Sequence, residues 1–115
     1  MLSVPGGVKV YLACGHTDLR KGMDGLAVLV QHVLHKDPFS GAVFAFRGKR
    51  GNLVKLLHWD TQGLCLFMKR LEQGYFLWPE AKEGSVHMSA AQLSMLLEGI
   101  DWRAPRRTAT PQLAG

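Results

Sequence analysis

The chain opens on an alternating stretch. Val8, Val10 and Leu12 fall on one side of an extended backbone and Lys9 and Tyr11 on the other, and this period of two predicts a strand. The period then changes. Leu26, Leu29, Val30, Val33 and Leu34 recur at the spacing of one helical face, which predicts an amphipathic helix over about 21–35. Gly22 and Gly25 weaken its first turn by up to ~1 kcal/mol each relative to Ala, so a late start with Asp24 as a competing N-cap stays open. Asp37-Pro38 is the expected stop, because the residue before a proline is pushed out of the helical region.

Short apolar runs follow. Residues 42–47, 53–59, 64–71 and 75–78 read as strands, separated by Gly48-Lys49-Arg50-Gly51-Asn52, Asp60-Thr61-Gln62-Gly63 and Gln73-Gly74. Gly-bearing connections this short predict antiparallel hairpins, since parallel pairing needs a crossover of about a dozen residues. Ser89-Ala90-Ala91-Gln92 has the form of a capping box and opens a second helix over about 90–98. Leu93, Leu96, Leu97 and Ile100 form its apolar stripe, and Gly99 stands where a left-handed C-terminal residue is needed. The expected architecture is α+β: one small domain over 1–103, an antiparallel meander with two amphipathic helices. Residues 104–115, without periodicity or acidic residues, read as a flexible basic tail.

Composition narrows the class. A chain of 115 residues, 47% of them hydrophobic, can bury a core without a metal or disulfide staple. No apolar run approaches the ~18–20 residues that span a bilayer, and the N-terminus lacks the pattern of a signal peptide. A cytoplasmic protein with no membrane partner is expected. Cys14 and Cys65 lie in apolar stretches with no C-x-x-C spacing, and read as small buried hydrophobes.

Charge adds more. The formal net charge of +5 favours anionic partners, nucleic acid being the commonest. The cations are also segregated: Arg47, Lys49, Arg50, Lys55, Lys69 and Arg70 stand against the single acid Asp60. In an antiparallel meander, Lys69 and Arg70 return to the end of the sheet that carries the Arg47–Lys49–Arg50 tip. Two readings of that cluster compete. A basic ribbon tip can enter a groove and contact phosphates, or the charges can simply keep a sheet edge soluble. Arg103, Arg106 and Arg107 make a second basic element, either a phosphate-contacting arm or an inert tail. Most aromatics fit core packing. Trp102, beside the basic arm, is the exception that could stack on bases.

Signals for catalysis are weak. His32 and His35 share a helix face, but no paired ligand spacing accompanies them, so no metal or other cofactor is expected. Asp18, Asp24 and Asp60 are the carboxylates best placed for a metal-dependent nuclease, and caps and turns account for all three. No nucleophile elbow or phosphate loop is present in the sequence.

Several stretches together carry a resemblance. Gly7–Gly15 leads into Thr17-Asp18-Leu19-Arg20-Lys21-Gly22-Met23-Asp24-Gly25-Leu26, and Asp37-Pro38-Phe39-Ser40-Gly41 precedes Phe46-Arg47-Gly48. Trp59-Asp60, Gly63–Phe67, Lys69-Arg70-Leu71-Glu72 and Phe76-Leu77-Trp78-Pro79 follow, then Leu96–Trp102 and Arg106-Arg107. Across about residues 6–107 the chain resembles the small TnpB-type accessory protein encoded by the second open reading frame of insertion sequence 66 elements. That resemblance implies a non-enzymatic role in transposition beside a separate DDE-type transposase that carries the strand-transfer chemistry. The expected partner is DNA, element ends or target, held through Arg47, Lys49, Arg50, Lys69 and Arg70 with the Arg103, Arg106 and Arg107 arm. The alternative is an adaptor that binds the transposase without touching DNA. An uncapped sheet edge would accommodate a homodimer.

Overall fold

The computed structural model describes residues 6–80 and 83–103. They form β1 (Val10–His16), α1 (Met23–His32), β2 (Val43–Arg47), β3 (Leu53–Trp59), β4 (Leu64–Arg70), β5 (Ser85–Met88) and α2 (Ala90–Leu97). The strands make one five-stranded sheet in the order β4-β3-β2-β1-β5. β2, β3 and β4 are the antiparallel meander that their short Gly-bearing turns predict. β1 joins that meander in parallel with β2, with α1 in the connection, and β5 returns antiparallel along the outer side of β1. The domain is α+β, with a mixed sheet.

Three local expectations are corrected. The strand expected at 75–78 is an irregular segment outside the sheet, tied to the β2–β3 turn by Phe76 N–H donating to the Gly51 carbonyl (3.0 Å). The fifth strand is Ser85–Met88, a minimal strand with only two apolar positions, Val86 and Met88, which pack on one face while His87 is exposed. α1 stops at His32, well before Asp37-Pro38, because His35 takes a left-handed conformation (φ 55°) and Lys36 N–H closes on the Val30 carbonyl (3.1 Å). At its start Gly22 is the N-cap, with no side-chain cap, and Asp24 sits inside the first turn.

Alternation along the strands divides the core between two faces. Val10, Leu12, Val43, Ala45, Val54 and Leu56 point to one side, where Leu93, Leu96 and Leu97 of α2 cover them with Phe76 and Trp102. Ala13, Phe44, Phe46 and Leu57 point to the other, under Leu26 and Val30 of α1 and Leu34 just beyond it. β2 therefore lies between two layers, and Val43 to Phe46 is a continuous buried run as a doubly covered strand requires. Burying Phe44 and Phe46 completely contributes about 1.5–3 kcal/mol each.

α2 is built as its sequence predicts. Ser89 Oγ accepts from Gln92 N–H (3.0 Å) and Gln92 Oε1 accepts from Ser89 N–H (2.9 Å). Gly99 at φ 75° lets its own N–H donate to Leu96 O and that of Ile100 to Met95 O, which caps the last carbonyls. Trp102 then turns inward. It is 5% exposed and its indole N–H donates to Leu77 O (2.7 Å), so it is a core residue and offers no face to a base. Cys14 is half-buried, but Cys65 is exposed on β4 beside the Asp60 carboxylate, contrary to the expected burial. Among the described residues, no helix is long and apolar enough to cross a membrane.

Candidate nucleic-acid interface

Parallel pairing decides which loops meet. β1 and β2 run the same way, so the loops after their carboxyl ends, residues 17–22 and 48–52, emerge side by side. In open α/β sheets such loop pairs form ligand crevices. Here they enclose an open groove of about 890 Å³, lined by His16, Thr17, Asp18, Leu19, Arg20, Gly48, Lys49, Arg50, Asn52 and Leu53. Thr17 N–H donates to Arg47 O (2.8 Å) and ties the two walls together.

The same end of the sheet receives the end of β4, since Arg70 pairs with Leu53 and Lys69 with Val54, which in turn pairs with Arg47. Arg47, Lys49, Arg50, Lys69 and Arg70 are thus gathered at one pole, but they are not equivalent. Lys49 and Arg50 are exposed, with no hydrogen bond or ion pair among the described residues. Arg47 is half-buried: its guanidinium lies 5.6 Å from the Trp78 ring centroid, and its Nε is buried without a partner among the described residues. Lys69 Nζ donates to Leu97 O (2.6 Å), where it satisfies a carbonyl at the negative end of α2. Arg70 reaches Glu72 (3.1 Å) on the opposite face. Arg103, away from this cluster in sequence, is paired with Asp101 (3.1 Å), and Arg106 and Arg107 lie outside the described residues.

The structure adds Arg20 and Lys21, which the charge pattern of the sequence does not single out. They sit on the β1–α1 loop facing the β2–β3 turn. Arg20 grips Asp18 through Nε (2.9 Å) and Nη2 (2.8 Å), and those bonds, with the Arg20 backbone N–H, hold the Asp18 carboxyl far below the usual carboxylate range. Lys21 supplies the carbonyl that receives Lys55 Nζ (3.0 Å), so Lys55 braces the loop. The sequence does hold a signal for this arrangement: a strand, an amphipathic helix and a second strand in succession is the order of a parallel crossover.

The turn that presents Lys49 and Arg50 is held from beneath. Gly51, at φ 77°, occupies a conformation that side chains rarely adopt, and its carbonyl accepts both Phe76 N–H and Trp78 Nε1–H (each 3.0 Å). The three carboxylates considered for a nuclease form no single cluster among the described residues. Asp18 is locked to Arg20, whereas Asp60 lies at the far end of β3, accepting from Gln62 and Gly63 N–H (2.9 and 2.8 Å). Among the described residues, no group of three or more His, Cys, Asp or Glu could hold a metal ion.

Comparison with known proteins agrees with the resemblance read from the motifs. Residues 8–107 match the model of a family described as IS66 Orf2 like protein. An uncharacterized protein of Sinorhizobium fredii, y4hO, is 50% identical over the full length of both chains. A second from the same organism, y4jC, is 38% identical over 93% of this chain and 92% of its own. No solved structure matches. A family match over nearly the whole chain, joined by a relative at half identity end to end, means that this chain belongs to the IS66 Orf2-like protein family.

Proposed function

We propose that the chain is a non-catalytic accessory factor for transposition of an insertion sequence, acting in the cytoplasm by holding DNA at the basic end of its sheet. Family membership supports the association with transposition. One observation carries the DNA reading. Lys49 and Arg50 stand exposed, without a partner among the described residues, on a turn braced by Gly51, at the rim of a groove whose facing wall carries Arg20. A rigid loop with uncommitted cations loses little freedom on meeting phosphates, and the ions released from the polyanion favour binding. Arg47 and Arg70 stand at the same pole, Arg70 engaged by Glu72, whereas Arg103 is paired with Asp101 and Arg106 and Arg107 lie outside the described residues. Lys69, committed to the end of α2, contributes field more than contact.

The test is a salt titration of binding to an element-end duplex and to a scrambled duplex of equal length. Log K should fall linearly with log salt, at ~0.9 per phosphate neutralised. Lys49→Ala with Arg50→Ala should weaken binding to both duplexes and flatten the slope by about 0.9 for each phosphate left without its cation. Unchanged affinity and slope in that variant would refute the interface. A second reading is favoured by the outer surface of α1 and the residue after it, where Val28 and Val33 are more than half exposed. On that reading the protein is an adaptor for the element's transposase, co-eluting with it in high salt and ignoring DNA.

A further inference from the structure

β4 is the outermost strand on one side of the sheet, and among the described residues only β3 pairs with it. Its register with β3 runs unbroken from Leu53↔Arg70 to Trp59↔Leu64, with no bulge to twist the edge away. The flanking bonds Leu71 N–H to Asn52 O (2.8 Å) and Asp60 N–H to Gly63 O (3.1 Å) set the phase of the ladder. An antiparallel ladder bonds every second residue. Cys65, Phe67 and Lys69 therefore turn their backbone groups to β3, while Leu64, Leu66, Met68 and Arg70 turn theirs outward.

Sheet edges are usually protected by an inward charge, a proline, a bulge or short length. Leu64-Cys65-Leu66-Phe67-Met68 has no charge, no proline and no glycine, and Met68 is 59% exposed. The opposite edge, β5, is only four residues long. Among the described strands, β4 presents the longer unbroken edge of outward amides and carbonyls, uncharged from Leu64 to Met68 and charged only at its Lys69-Arg70 end.

We infer that β4 is the seam of a homodimer, pairing antiparallel with β4 of a second copy about a two-fold axis at Phe67. Charge selects the direction. Lys69 and Arg70 end the strand, and Asp60 stands in the turn before its start. Parallel pairing would set the two Lys69-Arg70 pairs side by side. Antiparallel pairing separates them and lays each toward the partner's turn that holds Asp60. An axis at Phe67 also keeps the ladder in phase, with Leu66 opposite the partner's Met68 and Leu64 opposite the partner's Arg70, outward groups meeting outward groups. The two basic poles then point in opposite directions, so one dimer carries two separate surfaces for a polyanion.

Sedimentation of the full chain without DNA tests this, and its outcome is independent of whether DNA is bound. The wild type should run at twice the 12.7 kDa of one chain. Met68→Pro removes one outward N–H and leaves the β3 ladder intact, a position where an edge strand tolerates proline. It should run at the single-chain mass, and Met68→Thr should stay dimeric. A wild type at single-chain mass up to near-millimolar concentration, or a Met68→Pro variant that remains dimeric, overturns the seam. Should Met68→Pro misfold, amide exchange in the wild type decides. Slowing at Leu64, Leu66, Met68 and Arg70 that grows with concentration supports the dimer, and slowing independent of concentration means that the chain covers its own edge and refutes it.

Discussion

The two turns at the ends of β3 solve the same problem by opposite means. The Asp60–Gly63 turn stabilises itself: the Asp60 carboxylate accepts from the Gln62 and Gly63 amides, and Thr61 takes a left-handed conformation (φ 82°) within that loop. The Gly48–Asn52 turn has no carboxylate of its own. Its closing bond is backbone to backbone, Gly51 N–H to Gly48 O (3.1 Å), and its fixed point is the Gly51 carbonyl gripped by Phe76 and Trp78 from a segment far along the chain. Stabilising a turn through a carbonyl leaves its cations uncommitted, whereas an acidic side chain in the same place would have neutralised them. The price of that freedom is dependence on distant packing.

That dependence should be visible in stability. Phe76 is fully buried against the α2 face, and Phe76→Ala should cost about 3–5 kcal/mol by loss of transfer energy and a residual cavity. Before global unfolding, amide exchange should accelerate at Gly51 and Phe76 while Gly63 keeps its protection. Equal acceleration in both turns would mean that the segment 75–78 does not brace the basic turn selectively.

How much of this is legible in the sequence follows the range of each interaction. The capping box of α2 and Gly99 beyond it are written within a few neighbouring residues, and they stand where the pattern puts them. The hairpins of β2, β3 and β4 are equally local. Tyr75–Trp78 has the composition of a strand, but bracing the Gly51 carbonyl is a tertiary role that no local pattern shows. Arg20 escapes the charge pattern because its contribution needs β1 parallel to β2, a pairing that only the strand–helix–strand order hints at. Lys49 and Lys69 look alike in sequence. Only the return of α2 across the sheet, 28 residues after Lys69, separates a cation offered to solvent from one consumed by a helix end.

Lys69→Met sharpens that separation. The substitution keeps the aliphatic stem and removes the donor to Leu97 O, so α2 loses a charged partner at its C-terminus. We expect a loss of about 1 kcal/mol in stability, read from the denaturant midpoint, with no measurable change in the salt slope of DNA binding. A slope as flattened as that expected of the Lys49 and Arg50 variant would place Lys69 on DNA instead, and the helix contact would then be one that DNA displaces.

Acid gives the smallest effect, and it should act on one turn alone. Backbone donors at Gln62 and Gly63, and then the Cys65 thiol, hold the Asp60 carboxyl below its ordinary value. A carboxyl depressed in the folded state stabilises that state fully above the unfolded value of about 3.9, and the contribution is lost as pH falls through the folded value. The Gly51 carbonyl, with amide and indole donors, has no proton to gain over that range. Titration from pH 5 downward should therefore shift the Gln62 and Gly63 amide resonances below about pH 4, and leave those of Gly51 and the Trp78 indole in place. Asp60→Asn keeps an acceptor oxygen but removes the titration, so its Gln62 and Gly63 resonances should stay level through the same range. Movement of Gly51 in step with Gly63 would mean that the two turns are coupled through β3, and that the independence on which the contrast rests does not hold.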